Sequence, residues 1–296
     1  MSIEISKGRE GNLYYVNLLD GNKTVGRIEA ISDGVEWSRI TDITLDRNHT
    51  TDENKKLLIE EIKEVLKDHH IFTVIKRDDF DIFESLGFFR SKTSFTYEDN
   101  VTEQEKEDRE REGLFLPENF RYEDEFYPRK PFIDNGSVKK KENVGEIRYI
   151  DTLKGVSFEE INEVLSKAFG GHERDVNKTK EVFVNSDKVE LAFDGDNLVG
   201  VARAVTDRRA NALILNVAVD PSYQGFHIGW NVVVKLSEQL PGFSVFLNTH
   251  PGAVGFYNRK GFRRNRTAFV RPAGNMPPEM AKGFQLPAGY RFPDEY

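Results

Sequence analysis

Between Leu213 and Leu240 the apolar positions change period. In LILNVAVD, residues 213–220, Leu215, Val217 and Val219 alternate with Asn216 and Ala218, which predicts a strand with one buried face. Asp220-Pro221 ends it, because proline has no amide to give to a ladder. Past a turn that holds Gln224, Gly225, Phe226, His227, Ile228 and Gly229, the spacing of Trp230, Val233, Val234 and Leu240 suits the buried face of a helix. The turn therefore opens a helix, whose unpaired first-turn amides and positive dipole end hold a phosphate or pyrophosphate. Glycine there lets such a ligand reach the backbone.

The same alternation occurs earlier in the chain. LYYVNLL (13–19) and DGNKTVGRIEAI (20–31) read as a hairpin turning at Asp20-Gly21. DGDNLVGVARAV, residues 194–205, repeats it 174 residues later, with Asp20/Asp194, Gly21/Gly195, Val25/Val199, Gly26/Gly200 and Ala30/Ala204 identical. At that offset ITDITLD (40–46) falls on ILNVAVD (214–220) and SLGFFR (85–90) on RKGFRR (259–264); LPENFRYEDEF (116–126) resembles LPAGYRFPDEY (286–296) four residues out of step. A duplicated unit is the simplest reading, with domains at 1–127 and 128–296. The copies differ at the turn. Opposite Gln224–Gly229 the first has Thr50, Thr51, Asp52, Glu53, Asn54 and Lys55, so carboxylates replace glycines, and opposite Tyr257 it has Phe83. About a dozen residues precede its first hairpin, too few for an opening strand and two helices.

Between the copies, TEQEKEDREREG (102–113) reads as a solvated helix or loop, and PRKPFIDNGSVKKKENVG (128–145) as a linker. EIRYID then predicts a strand. Ser157 and Glu160 have capping-box spacing before a helix that buries Ile161, Val164, Leu165 and Ala168 and stops at Gly170-Gly171; a second helix runs from about Asp175 to Val184.

Composition narrows the chemistry. The 296 residues contain no cysteine, which removes disulfides, a thiol nucleophile and thiolate metal sites. Among His49, His69, His70, His172, His227 and His250 there is no i, i+4 pair, so no metal is expected. A net charge of −8 argues against nucleic acid as the main partner and suits a cationic amine weakly. No apolar run approaches the roughly 18 residues of a membrane span, and the start has no signal-peptide core, so a soluble, cytoplasmic monomer or homodimer without a membrane partner is expected.

Strand, Val-Asp-Pro-x-Tyr-Gln-Gly turn, helix and strand, followed by AVGFYNRKGF (253–262), resemble the GNAT superfamily of acetyl-CoA-dependent N-acetyltransferases. Gln224–Gly229 stands as its Gln/Arg-x-x-Gly-x-Gly/Ala motif. The match departs at His227, where the first motif glycine usually is, and at His250, where an asparagine commonly lies. The resemblance implies a mixed α/β fold of two GNAT-like domains, each a twisted, mostly antiparallel sheet flanked by helices, the second complete and the first truncated. It implies acetyl-CoA as cosubstrate, with the pantetheine arm along Val217, Ala218 and Val219. The diphosphate would lie on the turn from Gln224 to Trp230, with Asn248 and His250 nearby, and Tyr257 would protonate the departing thiolate. Asn216 stands where some relatives carry an acid, and an amide there only orients a water or the thioester carbonyl. Glu190, Glu173, His172 and His250 are the candidates for a base, beside a chain of waters. The acceptor is an amine, of a small molecule or of a protein, with duplicated relatives favouring small molecules; an acyl-CoA-binding regulatory or structural GNAT module without turnover is the alternative.

Overall fold

Each copy begins with strands paired as antiparallel neighbours, as the alternating patterns require. A computed structural model of the chain describes residues 3–99, 101–117, 120–122, 138–170, 174–274 and 283–295. The first copy runs β1 (Ile3–Glu10), β2 (Leu13–Asp20), β3 (Lys23–Ser32), β4 (Trp37–Leu45), α1 (Asp52–Val65), β5 (His70–Val74), α2 (Phe80–Ser85), β6 (Phe89–Arg90) and β7 (Ser94–Tyr97). After α3 (Glu103–Arg111) come β8 (Ile147–Ile150), α4 (Phe158–Ala168) and α5 (Val176–Val184). The second copy continues with β9 (Lys188–Asp194), β10 (Asn197–Thr206), β11 (Asn211–Val219), α6 (Ile228–Glu238), β12 (Ser244–Asn248), α7 (Val254–Asn258), β13 (Arg263–Arg264) and β14 (Ala268–Arg271). From β2 and β9 onward the two series match element for element at the offset seen in the sequence.

The repeat extends to irregularities. Val25 is the extra residue of a bulge where β2 pairs β3, and the identical Val199 is the extra residue where β9 pairs β10. Asp33 accepts the amides of Val35, Glu36 and Trp37 in one tight loop, and Asp207 accepts those of Arg209, Ala210 and Asn211 in the other. Such loops satisfy three backbone donors with one carboxylate oxygen.

One expectation is corrected at the N-terminus. An opening strand does fit in the few residues available: β1 pairs β2 along its whole length through a turn at Gly11 (φ +58°). Only the two helices that follow β8 in the second copy are absent there. The charge run forms α3, capped reciprocally by Thr102 and Glu105 and burying no residue. Residues 123–137, most of the expected linker, lie outside those described. Ser157 caps α4 by accepting the Glu160 amide, and its hydroxyl donates to Glu159.

By their contacts the residues form two compact units, Met1–Phe126 with Asn248–Tyr296, and Tyr127–Leu247. These units do not follow the repeat boundaries, and the strand pairing says why. In the first unit the sheet order is β1-β2-β3-β4-β5-β14-β6, so the last strand of the second copy lies between β5 and β6 of the first. Its own equivalent, β7, pairs instead with β13. The core of this unit, built from Val16, Leu18, Ile28, Leu58, Ile62 and Phe83 among others, accordingly includes Phe269 of β14. In the second unit β8, β9, β10 and β11 pair antiparallel in that order and β12 adds to β11 in parallel. Its helices α4 and α6 both pack on these strands. Among the described residues no helix is long and apolar enough to cross a membrane.

A buried ion pair fastens the C-terminus to the first unit. Arg90 reaches Glu295 with two hydrogen bonds of 2.6 and 2.7 Å, and both side chains are almost wholly buried. Burial alone would raise the Glu295 carboxyl, but the Arg90 hydrogen bonds, the Phe292 amide and the Arg90 and Arg266 charges outweigh it and hold it below the usual carboxylate range. Removing one partner strands a buried charge, so Glu295→Gln should lower unfolding stability at pH 7 by about 3 kcal/mol. Because the folded pKa is depressed, this contribution is present above the ordinary glutamate value and lost as pH falls through the folded one. The difference between wild type and variant in urea unfolding should therefore shrink on acidification.

Candidate functional site

Two physical features of the second unit make a place for an extended, anionic ligand. The first is an open strand edge. β11 pairs in parallel with β12 only from Asn211 to Leu213, against Ser244 to Phe246, while on its other side it stays paired with β10 as far as Val219. The ladder with β12 thus stops before Val217, Ala218 and Val219, which leaves this stretch of β11 laddered to β10 alone.

The second feature is an uncapped helix start. α6 begins at Ile228 after His227, which takes a left-handed conformation (φ +62°) and makes no side-chain cap; no acidic residue lies in the first turn. Gly225 (φ +102°) sits in a conformation that side-chain-bearing residues avoid. A methyl added at Gly229 would meet Val219 Cγ2 at 3.3 Å. The amides of a first turn need partners, and the N-cap side chain here supplies none. The equivalent turn of the first copy is finished internally: Thr51 caps α1 by accepting the Asn54 amide, Asp52 and Glu53 occupy the first turn, and Lys55, at the position of Gly229, is ion-paired with Asp79.

Two sequence expectations about this stretch are corrected. β11 does not alternate as predicted: Val217 and Val219 are half-buried and Ala218 is buried. The cause is a bulge, since Val201 opposes Ala218 while Arg203 opposes Leu215, and within the extra residues Asn216 adopts φ +52°. One inserted residue reverses the phase of all that follow. The buried face of α6 is likewise turned from the expected one, comprising Ile228, Val232, Val233 and Leu236, with Trp230 and Val234 half-buried. Gly200 makes this possible, as a methyl there would meet Ile228 Cγ2 at 3.0 Å and Ala192 Cβ at 3.2 Å.

Asn216 is held by a residue that sequence reasoning passed over. Arg203, fully buried on β10, donates from Nε to Asn216 Oδ1 at 2.5 Å and also reaches the Val182 carbonyl and Ser186 Oγ at 3.4 Å. It pins the bulge to α5 and its C-terminal turn. The available signal was a lone arginine within the apolar strand LVGVARAV. Glu190 pairs with Ala202, one residue from Arg203, and so points to the opposite face of the sheet, where Gln239 beyond α6 donates to its carboxyl at 2.8 Å. Burial pushes its pKa up to about 7 against the Gln239 hydrogen bond and the Lys235 charge. That carboxyl lies under α6, away from the face that Asn216 shares with α5. His172 and Glu173 lie outside the described residues.

Asn248, His250 and Tyr257 belong to the first unit. Asn248 Oδ1 accepts from Ser91 Oγ at 3.4 Å. His250 Nδ1 accepts the Gly252 amide at 3.1 Å, which places its hydrogen on Nε2, and burial lowers its pKa to about 4. A neutral ring with its lone pair so engaged is poorly suited to take a proton from an amine. Tyr257 is 5% exposed on α7, its ring enclosed by Phe95, Phe256 and Phe262. Burial alone raises its pKa, so the phenol keeps its proton. Among the described residues no group of acidic, histidine or cysteine side chains could hold a metal ion.

A family model described as an acetyltransferase (GNAT) domain matches residues 156–274. The protein named uncharacterized N-acetyltransferase ycf52 in Pyropia yezoensis is 31% identical over 121 residues, 38% of this chain and 69% of that protein. Serotonin N-acetyltransferase 2, chloroplastic, of Oryza sativa subsp. japonica is 30% identical over 115 residues, 36% of this chain and 57% of its own length. Among solved structures, a tandem GNAT protein from the clavulanic acid biosynthesis pathway is similar at 13% identity and a TM-score of 0.46, over 90% of this chain and 84% of that one.

Two outcomes test the geometry. Gly229→Glu should abolish binding of a CoA diphosphate while the chain stays folded, because the carboxylate repels phosphate yet favours the helix dipole; calorimetry and far-UV circular dichroism check the two halves. Glu190 has a raised folded pKa, so its stabilising share is full below the unfolded value near 4.3 and is lost as pH rises toward 7. Glu190→Gln should accordingly raise the free energy of urea unfolding at pH 8, by about 1–2 kcal/mol, and not at pH 4.

Proposed function

The chain belongs to the GNAT N-acetyltransferases, and we propose that it transfers the acetyl group of acetyl-CoA directly to the primary amine of a small molecule. The observation that carries this reading is the uncapped start of α6 beside the open edge of β11, set against the self-capped, acidic start of α1. A helix start without a side-chain cap suits a diphosphate, and a strand paired along one side only suits the two amides of a pantetheine arm. The small-molecule acceptor is supported by the name of the rice relative, which states serotonin.

In this reaction the neutral amine attacks the thioester carbon, the C–N bond forms, and the C–S bond breaks to release a thiolate. Backbone amides of β11 stabilise the oxyanion, and Asn216, its oxygen tied to Arg203, turns its amino group to the substrate. Tyr257 gives the thiolate its proton. An alkyl ammonium of ordinary pKa must first lose a proton, at a cost of about 4.6 kcal/mol at pH 7. Glu190 faces α6 and His250 is a weak base, which leaves His172, Glu173 or a chain of waters for that step.

Thiol release from acetyl-CoA with a panel of amines tests the proposal directly: amine-dependent release is expected, and binding without release under any amine would favour a CoA-binding module. Tyr257→Phe should lower kcat roughly 10- to 10⁴-fold with acetyl-CoA affinity little changed, since the ring remains and only the acid is lost. Calorimetry should give one acetyl-CoA per chain. In the first copy a diphosphate would meet Asp52 and Glu53, at a cost on the order of 4 kcal/mol for each close like-charge pair. A stoichiometry of two would overturn this.

A further inference from the structure

The aromatic cage around Tyr257 contains a ring that the second copy does not own. Phe95, on β7 of the first copy, is fully buried and lies 5.7 Å from the Tyr257 ring at an interplanar angle of 37°. The other walls are local: Phe256 meets Tyr257 edge-on at 5.0 Å and 89°, and Phe262 at 5.4 Å and 73°. β7 is fixed where it delivers this ring. Phe95 pairs with Arg264 and Thr96 with Arg263 in the β7–β13 ladder. Asn265 donates its amide to the Ser94 carbonyl at 2.9 Å, Thr96 Oγ1 donates to Asn265 Oδ1 at 2.9 Å, and Arg264 Nε donates to the Lys92 carbonyl at 2.6 Å. These bonds clamp the first copy's strand to the stretch immediately after α7.

The mirror arrangement in the first copy separates packing from chemistry. Phe269 of β14 is the repeat equivalent of Phe95, is also fully buried, and meets Phe80 at 5.0 Å. Phe83, the equivalent of Tyr257, meets Phe88 at 5.0 Å and 77°, as Tyr257 meets Phe262. Each copy thus lends a phenylalanine to the other, but only one of the two receiving cages holds a hydroxyl.

We propose that the first copy serves the reaction as a built-in partner, with Phe95 as a positioning residue that fixes the Tyr257 ring, and so its hydroxyl, for proton transfer. This rests on Tyr257 being the acid. A flat ring on one side confines the phenol's rotation about its side-chain bonds; an aliphatic group of similar volume fills the space without imposing the plane. An acid set off its line by a fraction of an ångström to an ångström loses rate steeply while substrate affinity is unaffected.

The test measures kcat, KM for acetyl-CoA and melting temperature for full-length Phe95→Leu, Phe269→Leu, Tyr257→Phe and the double variant Phe95→Leu/Tyr257→Phe, using thiol release with the best amine of the panel. Phe95→Leu should lower kcat roughly 10- to 100-fold with KM within about twofold. Phe269→Leu, which costs the same kind of buried ring, should lower the melting temperature comparably and leave kcat unchanged. In the Tyr257→Phe background Phe95→Leu should add no further loss of kcat, because the hydroxyl it positions is gone. A Phe95→Leu enzyme with wild-type kcat beside an impaired Tyr257→Phe enzyme would overturn the positioning role alone, as would Phe269→Leu slowing turnover equally. Wild-type turnover by Tyr257→Phe would remove the acid itself, and the positioning role with it.

Discussion

The insertion of β14 between β5 and β6 is the contact on which the arrangement of this chain depends. Four residue pairs with β5 and two with β6 join the last strand of the second copy to the sheet of the first. Every ladder bond made there is one that β7, the strand that follows β6 in the chain, does not make at its own copy's edge. β7 is thereby available to β13, and its phenylalanine reaches the cage of Tyr257. A duplication that had kept its strands to itself would have left two independent sheets, each with an edge to protect.

Within that frame the copies have diverged by a simple rule about helix starts. First-turn amides are satisfied from inside the chain or from outside it. α1 takes the inside solution with Thr51, and the Lys55 side chain closes on Asp79 where the other copy has a bare Gly229. α6 has no such cap, and its left-handed His227 shows that the turn does not need a glycine at that position to keep its course. The departure of His227 from the family motif is therefore absorbed by backbone geometry.

Much of this was legible in the sequence, and the parts that were not share a cause. Periodicity reports which side of a strand is buried, and the offset of 174 located nearly every element of the first copy from the second. It cannot report which strand is a neighbour, so the exchange of β7 and β14 left no trace in either pattern. Nor can it report an inserted residue: the bulge at Asn216 reversed the phase of Val217 to Val219, and a helix set one position differently on Gly200 moved the buried face away from Trp230. The turn between β11 and α6 was readable because glycine, helix start and strand end each constrain it separately. The proton acceptor was not, because Glu190 and His250 are ordinary letters until burial, sheet face and hydrogen bonds assign them.

The place of β14 in the sheet also sets a timetable. During synthesis the first copy's sheet lacks an inner strand until residues 268–271 emerge, roughly 180 residues after β6; at ordinary synthesis rates that is a wait of roughly 10–40 s. During it the β5 edge stands open, with Phe72 and the phenylalanines of α2 behind it and no β14 to cover them. The order of the elements along the chain thus leaves a strand-shaped vacancy beside β5 that only residues 268–271 fill.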